Sequence, residues 1–468
     1  MQPQRTETDV LGALQLPAEA LYGIHSLRGK LNFPYSGETL AQYPRFVAWL
    51  ARVKLAVACV HRRNGAIGEH QAEAIALACS ELIDGKHTDA LIVDPLEGSC
   101  GTSINMNLNE VIANRALQAM GHAPGNYTAL HPLDHVNLGQ STSDVLLTAV
   151  KLALLEDTRE LAATVDSLAA SLRVRQQDFD GILRIARTCL QDALPMRLGQ
   201  AFGGYASLAE RGATSLRAHL PALRTVCLGA TAVGTGLGTS AGFRSAALAE
   251  LSSLADVELT PSVDLVDSVQ NMDEFASLAS SVKTVAMSLA KVANDLVLLS
   301  SGPNGGIGEV TLAPQQAGSS MMPGKVNPVH AMGLTQIAYY AAGAEQSIML
   351  ASAGGQLETN NYMPLIAFSL FKATTMVRRA VALFDEQVVR PLRANRETNE
   401  RHLLESTAIA PVIRTKIGYE RTAALVAQAV TSGRPLIDVI VSEGVCSGND
   451  VLALLRASSL HPDAQACD

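Results

Sequence analysis

The sequence predicts a mainly all-α protein, a central bundle of long helices flanked by two smaller helical domains. Of the 468 residues, 48% are hydrophobic but only 4% are aromatic, and a chain rich in Ala, Leu and Val with few rings favours helices packed closely together. Apolar residues recur every three to four positions over long stretches, and strand signals are slight. No internal repeat or low-complexity tract breaks that pattern.

Residues 1–140 read as an N-terminal domain of mixed and helical character. "LYGIHSLRGKLNFPYSG" is loop-like, and "FVAWLARVKLAVACVHRRNG" is a helix closed by a glycine stop. Residues 141–396 read as the central long-helix domain. Its first helix is the run from Ser141, "STSDVLLTAVKLALLEDTRELAATVDSLAASLRVRQQDF", with a hydroxyl-and-acid start. A second spans 263–300, with apolar residues in register from Leu265 to Leu296; after Phe275 its only charges are Lys283, Lys291 and Asp295. Most of that circumference must be covered, which a multi-helix oligomeric core does and a monomer rarely does. Runs at 328–352 and 362–393 add two more helices, and 397–468 reads as a small C-terminal helical domain.

Charge and cysteine usage narrow the function classes. A net charge of -8 without a basic concentration argues against a nucleic-acid partner. The seven cysteines (Cys59, Cys79, Cys100, Cys189, Cys227, Cys446, Cys467) are odd in number and scattered, so neither a disulfide framework nor a zinc site is indicated. The start "MQPQRTETDVLG" lacks an apolar signal region, and no stretch reaches membrane-spanning length, so the expectation is a cytoplasmic protein with no membrane partner. His131 and His135 in "HPLDH" have metal-like spacing but no third ligand, and the glycines of "GATAVGTGLGT" lack the strand and lysine of a phosphate cradle. No cofactor and no metal are expected.

Polar clusters interrupt this apolar scaffold, each placed at or near a helix start: Thr102 with Ser103, Ser141 with Thr142 and Ser143, Thr188 with Cys189 and Gln191, and the stretch "GSSMMPGKVNPV" with Ser319, Ser320, Lys325 and Asn327. In the last, Asn327 is expected as N-cap and Pro328 as first helical residue. Helix N-termini carry unpaired N–H groups and partial positive charge, so each cluster suits a carboxylate or phosphate. One hydroxyl suffices for capping. Several in a row, with a lysine nearby, suggest a pocket for a small dianionic acid.

"GSSMMPGKVNP" resembles the signature loop of the aspartase/fumarase superfamily, G-S-S-x-M-P-x-K-x-N-P. "GTSINMNLNEVIANRA", "HPLDHVNLGQSTSD", "RTCLQDALPMRLGQAF", "LGATAVGTGLGT" and "GQLETNNYMP" are similar to the family's other blocks, in its order. The opening "YGIHSLRGKLNFPYSG" is closest to the aspartate ammonia-lyase branch. The resemblance implies a homotetramer with a core of long helices and active sites shared between three subunits. It also implies reversible anti elimination of ammonia from L-aspartate to give fumarate. Ser319 matches the catalytic base. Thr102, Ser141, Thr142 and Thr188 match positions holding one carboxylate and the amino group. Lys325 and Asn327, with Ser320, match positions holding the other carboxylate.

Four positions depart from the family pattern. Ser143 stands where the family has an Asn that contacts the leaving group, Cys189 where fumarases have His, Gly238 where an Asn is usual, and Leu147 where a Pro is usual. The departures keep open the same elimination on a succinate with a different C2 group, with fumarate hydration a weaker variant. A catalytically idle structural or regulatory oligomer is the third reading, and the intact loop argues against it.

Overall fold

The computed structural model describes residues 3–457. An antiparallel hairpin, β1 (Gln4–Asp9) and β2 (Gly12–Pro17), opens the chain and leads into α1 (Ile24–Asn32). The free N–H groups at the start of α1 are not capped from within; Gly23, His25 and Ser26 donate to the buried Glu110 carboxylate at 2.8, 2.9 and 3.0 Å. Then come α2 (Pro44–Arg63), α3 (Glu69–Ile83) and α4 (Thr102–Ala119), which carries Glu110. In α2 the residues Phe46, Leu50, Val53, Val57 and Val60 are buried at three-to-four spacing, as the helical reading requires.

The long helix expected from Ser141 is present as α5, Thr142–Asp178, 37 residues without a break. A second antiparallel hairpin follows, β3 (Leu183–Thr188) and β4 (Gln191–Arg197), and then α6 (Leu198–Arg217), α7 (Leu220–Arg224) and α8 (Phe243–Ala255). The helix expected over 263–300 is divided into α9 (Leu265–Gln270) and α10 (Asp273–Leu299). The break is local chemistry: Asn271 is extended at φ -103, ψ 137, and its side-chain amide donates back to Asp267 at 2.7 Å. Asp273 and Glu274 then open α10, where the helix dipole favours acids.

Two further long helices follow: α11 (Val329–Ala353) matches the expected run, while α12 (Met363–Phe384) is shorter than the run expected over 362–393 and gives way to a π-helical turn at Asp385–Val389. The C-terminal part is α13 (Arg396–Glu405), α14 (Ala410–Ile417), α15 (Tyr419–Ser432), α16 (Leu436–Ser442) and α17 (Gly448–Ala457). Cys467 lies outside the described residues; the other six cysteines are unpaired thiols.

Close packing divides the chain into two compact units. The first holds residues up to Leu161, Ser215–Lys283 and Tyr340–Met376. Within it α2 packs on α3 and α8, and α3 packs on α4. The second holds Ala162–Thr214, Thr284–Tyr339 and the chain from Val377. Within it Leu403, Ile409, Ile413, Leu425, Val439, Ile440 and Leu455 of the C-terminal part bury against Leu183 and Ile185 of β3. No single helix among the described residues is long and apolar enough to cross a membrane; α15 and α16 pass together by length and composition but are bent by 117°, and their Leu425, Ala429, Leu436 and Val439 are buried.

The coverage expected for α10 is half met within the chain. Phe275, Leu278, Val282, Val285, Leu289, Val292 and Leu296 are buried, while Met287 and Leu298 are exposed. On α11, whose only acid or base among Asp, Glu, Lys and Arg is Glu345, Met332, Tyr339, Tyr340, Met349 and Leu350 are exposed. Burial in the chain itself fixes stability: Leu50→Ala removes a fully buried side chain and is expected to cost about 2–5 kcal/mol. Leu77→Ala, on the exposed side of α3, is expected to stay within about 0.5 kcal/mol. Thermal midpoints of the two variants check this.

Candidate active site

In the first unit, the starts of α4 and α5 meet at a glycine. Gly101 has φ +88, and a Cβ there would collide with Leu146 on α5. Only glycine suits both the left-handed backbone and the close approach. At the start of α4 the cap comes from upstream: Ser99 Oγ accepts from Ser103 N at 3.0 Å. Thr102, the first helical residue, is exposed with its hydroxyl unspent.

The start of α5 is organised by Asp144. Its carboxylate is buried and accepts from Ser141 N at 2.9 Å, and from Gly229 N and Thr231 N at 3.0 Å each. Asp144 therefore does two tasks: it satisfies an orphan helix N–H and holds the glycine-rich 229–239 loop against α5. Burial pushes its carboxyl pKa up, and the three backbone donors oppose that. Ser141 and Thr142 keep their hydroxyl hydrogens for other partners, their oxygens accepting from Ser143 N and Asn105 Nδ2. A cavity of about 510 Å³ opens beside them, with Thr102, Asn105, Asn137, Ser141, Thr142 and Thr231 in its wall. Gly238 also lines it. Ser143 does not line this cavity; its backbone N–H donates to Ser141 Oγ at 3.4 Å.

Asn105 and Asn137 were absent from the expected set. A signal existed: Asn105, Asn107, Asn109 and Asn114 are all buried on α4, an unusual density of polar groups inside a helix that must be hydrogen-bonded to be tolerated. His131 spends its ring on the next turn, accepting from Leu133 N and Asp134 N at 3.2 and 3.3 Å, and His135 meets Gln71 at 3.2 Å. Among the described residues no group of three or more His, Cys, Asp or Glu is arranged to hold a metal ion.

The second unit carries the remaining candidates. Thr188 and Cys189 were placed near a helix start; the structure corrects this to a β-hairpin, with Thr188 paired to Gln191 across a two-residue turn. Cys189 and Leu190 both have positive φ, 53° and 61°, as the tight hairpin turn that matches strand twist requires. Neither is a residue type that favours that conformation, so the turn was not legible. Thr188 and Cys189 are exposed. The hairpin is pinned by Arg184 and Arg187, which reach the fully buried Glu309 at 3.1 and 2.7 Å. Burial drags the Arg184 pKa down while Glu309 holds it up.

The 318–328 loop closes on itself. Gly318 N–H donates to the Lys325 carbonyl at 3.0 Å, and a Cβ at Gly318 would collide with that oxygen. Asn327 was expected to cap the following helix. Instead its side-chain amide donates to the Gly318 carbonyl at 2.7 Å, and α11 begins at Val329 after Pro328. The amide serves the loop because the Gly318 carbonyl is otherwise left without a partner by the turn. Ser319 Oγ accepts from the backbone N–H groups of Met321 and Met322, both at 3.1 Å. Two donors aimed at one hydroxyl oxygen favour its anionic form. Ser319 is half-buried, whereas Ser320 and Lys325 are exposed.

A family model described as a lyase matches residues 12–343. The aspartate ammonia-lyase of Pseudomonas aeruginosa is 41% identical over 440 residues, covering 94% of this chain and 93% of that protein. That of Bacillus subtilis is 36% identical over 452 residues, covering 97% and 95%. Among solved structures, a fumarate lyase:delta crystallin from Brucella melitensis bound to cobalt superposes with a TM-score of 0.92 at 37% identity, covering 97% of this chain and 99% of that one. A class II fumarase from Schistosoma mansoni superposes with a TM-score of 0.90 at 31% identity, covering 98% and 100%.

The glycine at the α4–α5 approach yields a stability expectation. Gly101→Ala is expected to cost about 1–3 kcal/mol from the collision with Leu146, read as a lowered thermal midpoint. Gly204→Ala, where a Cβ meets nothing within 4 Å, should match wild type or exceed it.

Proposed function

The chain belongs to the aspartase/fumarase family of lyases, and from that premise we propose that it eliminates ammonia reversibly from L-aspartate to give fumarate. The observation that carries the reading is Ser319, whose oxygen accepts two backbone N–H groups inside the closed 318–328 loop. The loop lies within a sequence 41% identical to an aspartate ammonia-lyase over 94% of its length.

The difficult step is removal of a weakly acidic proton from C3. Ser319, as alkoxide, takes that proton. The electron pair moves into the neighbouring carboxylate as a doubly charged intermediate, then forms the C2–C3 double bond, and the C2 ammonium departs as neutral ammonia. The Met321 and Met322 N–H groups stabilise the alkoxide before the proton is taken. The intermediate needs donors placed where charge grows. We assign that task to the hydroxyls of Thr102, Ser141, Thr142 and Thr188. Lys325 and Ser320, with the second N–H of Asn327, are assigned to the other carboxylate. Ser143 and Cys189 border the leaving group in this reading, a short hydroxyl and a thiol that fit a small amine. The relatives' names favour ammonia over a bulkier group.

The working protein is proposed as a cytoplasmic homotetramer with active sites shared between subunits and a small amino-acid or dicarboxylate substrate. Exposed apolar side chains on α11 support that assembly, since several large apolar residues exposed on one helix favour cover by a partner. The chain is read as three domains, 1–140, 141–396 and 397–468.

Purified protein mixed with L-aspartate is expected to generate the ultraviolet absorbance of fumarate, and Ser319→Ala to lower kcat by about 10²–10⁴-fold at unchanged thermal midpoint. Full activity in Ser319→Ala would remove the base assignment. No fumarate from wild type would remove the substrate.

A further inference from the structure

A fully buried lysine stands behind the first-unit cavity, and the family reading gives it no task. Lys54, on α2, has no exposed surface. Its ammonium donates to Asn137 Oδ1 at 2.8 Å. The same oxygen accepts from Asn105 Nδ2 and Asn109 Nδ2, both at 3.2 Å. Asn105 Nδ2 also donates to Thr142 Oγ1 at 3.3 Å. Asn105, Asn137 and Thr142 all line the cavity.

The order of donors in this chain is forced. An ammonium can only donate and the Gln140 carbonyl, which takes Asn137 Nδ2 at 3.1 Å, can only accept, so Asn137 turns its oxygen toward Lys54. Asn105 must then offer its NH2 to that oxygen, since its own oxygen there would face another acceptor. That NH2 in turn makes Thr142 Oγ1 an acceptor, which leaves the Thr142 hydroxyl hydrogen free to point into the cavity. Among the described residues no acceptor takes it. The geometry points to Lys54 as a positioning residue that, through Asn137 and Asn105, fixes Thr142 as a donor to a substrate carboxylate and sets a positive potential behind the cavity.

Protonation of Lys54 gates the potential. Burial lowers its pKa to about 7, against the attraction of Asp144 on α5. Of the other groups facing it, burial pushes the Cys79 thiol on α3 up to about 12 and raises the Asp144 carboxyl. On its own helix, His61 has its ring lowered by burial and engaged with the Leu138 carbonyl at 2.8 Å. Below about pH 7 Lys54 is charged and can only donate. Above it the positive charge is lost, while the Gln140 carbonyl, which accepts from Asn137 Nδ2 at 3.1 Å, keeps the donor order in place. A dicarboxylate is therefore bound more tightly at low pH, and affinity falls as pH rises.

This inference takes its ligand from the ammonia-lyase reading, and fumarate binding separates the two. Calorimetric titration with fumarate, whose carboxylates are both ionised above about pH 6, is expected to show wild-type Kd rising at least about tenfold between about pH 6 and about pH 9. Lys54→Met should bind at least about tenfold more weakly at pH 6 with no pH slope, and in turnover should raise KM more than it lowers kcat. Asn105→Ala keeps the Lys54 charge but cuts the relay, and should bind at least about tenfold more weakly at pH 6 while keeping the pH slope, a test that stands if Lys54→Met does not fold. Wild-type affinity independent of pH, or either variant retaining the wild-type affinity and slope, overturns the assignment. Wild type that binds fumarate with the expected slope but never consumes it with ammonia overturns the ammonia-lyase reading and leaves Lys54 standing.

Discussion

The first-unit cleft depends on the buried carboxylate of Asp144. By accepting from Ser141, Gly229 and Thr231, it takes one N–H at the opening of α5 and fastens the glycine-rich loop that forms part of the cavity wall. Helix starts ordinarily consume the hydroxyls that stand there. Here an acid three residues inside shares that task, and Ser99, upstream of α4, takes it there; Thr102 keeps its hydroxyl, while Ser141 and Thr142, whose oxygens accept from Ser143 N and Asn105 Nδ2, keep their hydroxyl hydrogens. A buried charge of this kind is tolerable because three N–H donors and a buried lysine offset its desolvation.

The second unit solves a related problem with backbone alone. The 318–328 loop has no secondary structure to position Ser319, so it uses a close approach that only glycine permits, a carbonyl bridged by Asn327, and a tight turn that presents two N–H groups to the serine oxygen. Glu309 ties the segment leading into this loop to the hairpin bearing Thr188, through two arginines. Its main chain accepts from Asn399 of α13 at 2.8 Å, and His402 lies 3.2 Å from its carboxylate. The C-terminal helices thus stabilise the hairpin by apolar burial against Leu183 and Ile185 as well as by these polar contacts.

What the sequence made legible follows from how local each signal is. The 37 residues of α5 carry a start signal and an unbroken apolar period, and both are readable without tertiary information. The loop around Ser319 was legible because Gly318, Pro323 and Gly324 punctuate it. The hairpin at Thr188 was not, since Cys189–Leu190 lacks the Asn or Gly that announces a turn with positive φ. The break at Asn271 was hidden because the apolar residues keep their register across it, and only the Asn271–Asp267 side-chain bond reveals the competing local structure. Asn105, Asn137 and Lys54 escaped for a different reason: each is an ordinary helix or loop residue until the fold joins positions 54, 105, 137 and 142 in one hydrogen-bonded chain.

The central claim is that a serine oxygen held by two backbone N–H groups removes one particular C3 proton in an anti elimination. Running the reaction backwards in deuterium oxide tests it most directly. Fumarate and ammonium incubated with the protein should give L-aspartate carrying a single deuterium at C3 in one stereochemical position, opposite the added nitrogen, as read by proton NMR. Aspartate labelled equally at both C3 positions, or no aspartate at all, would contradict the account.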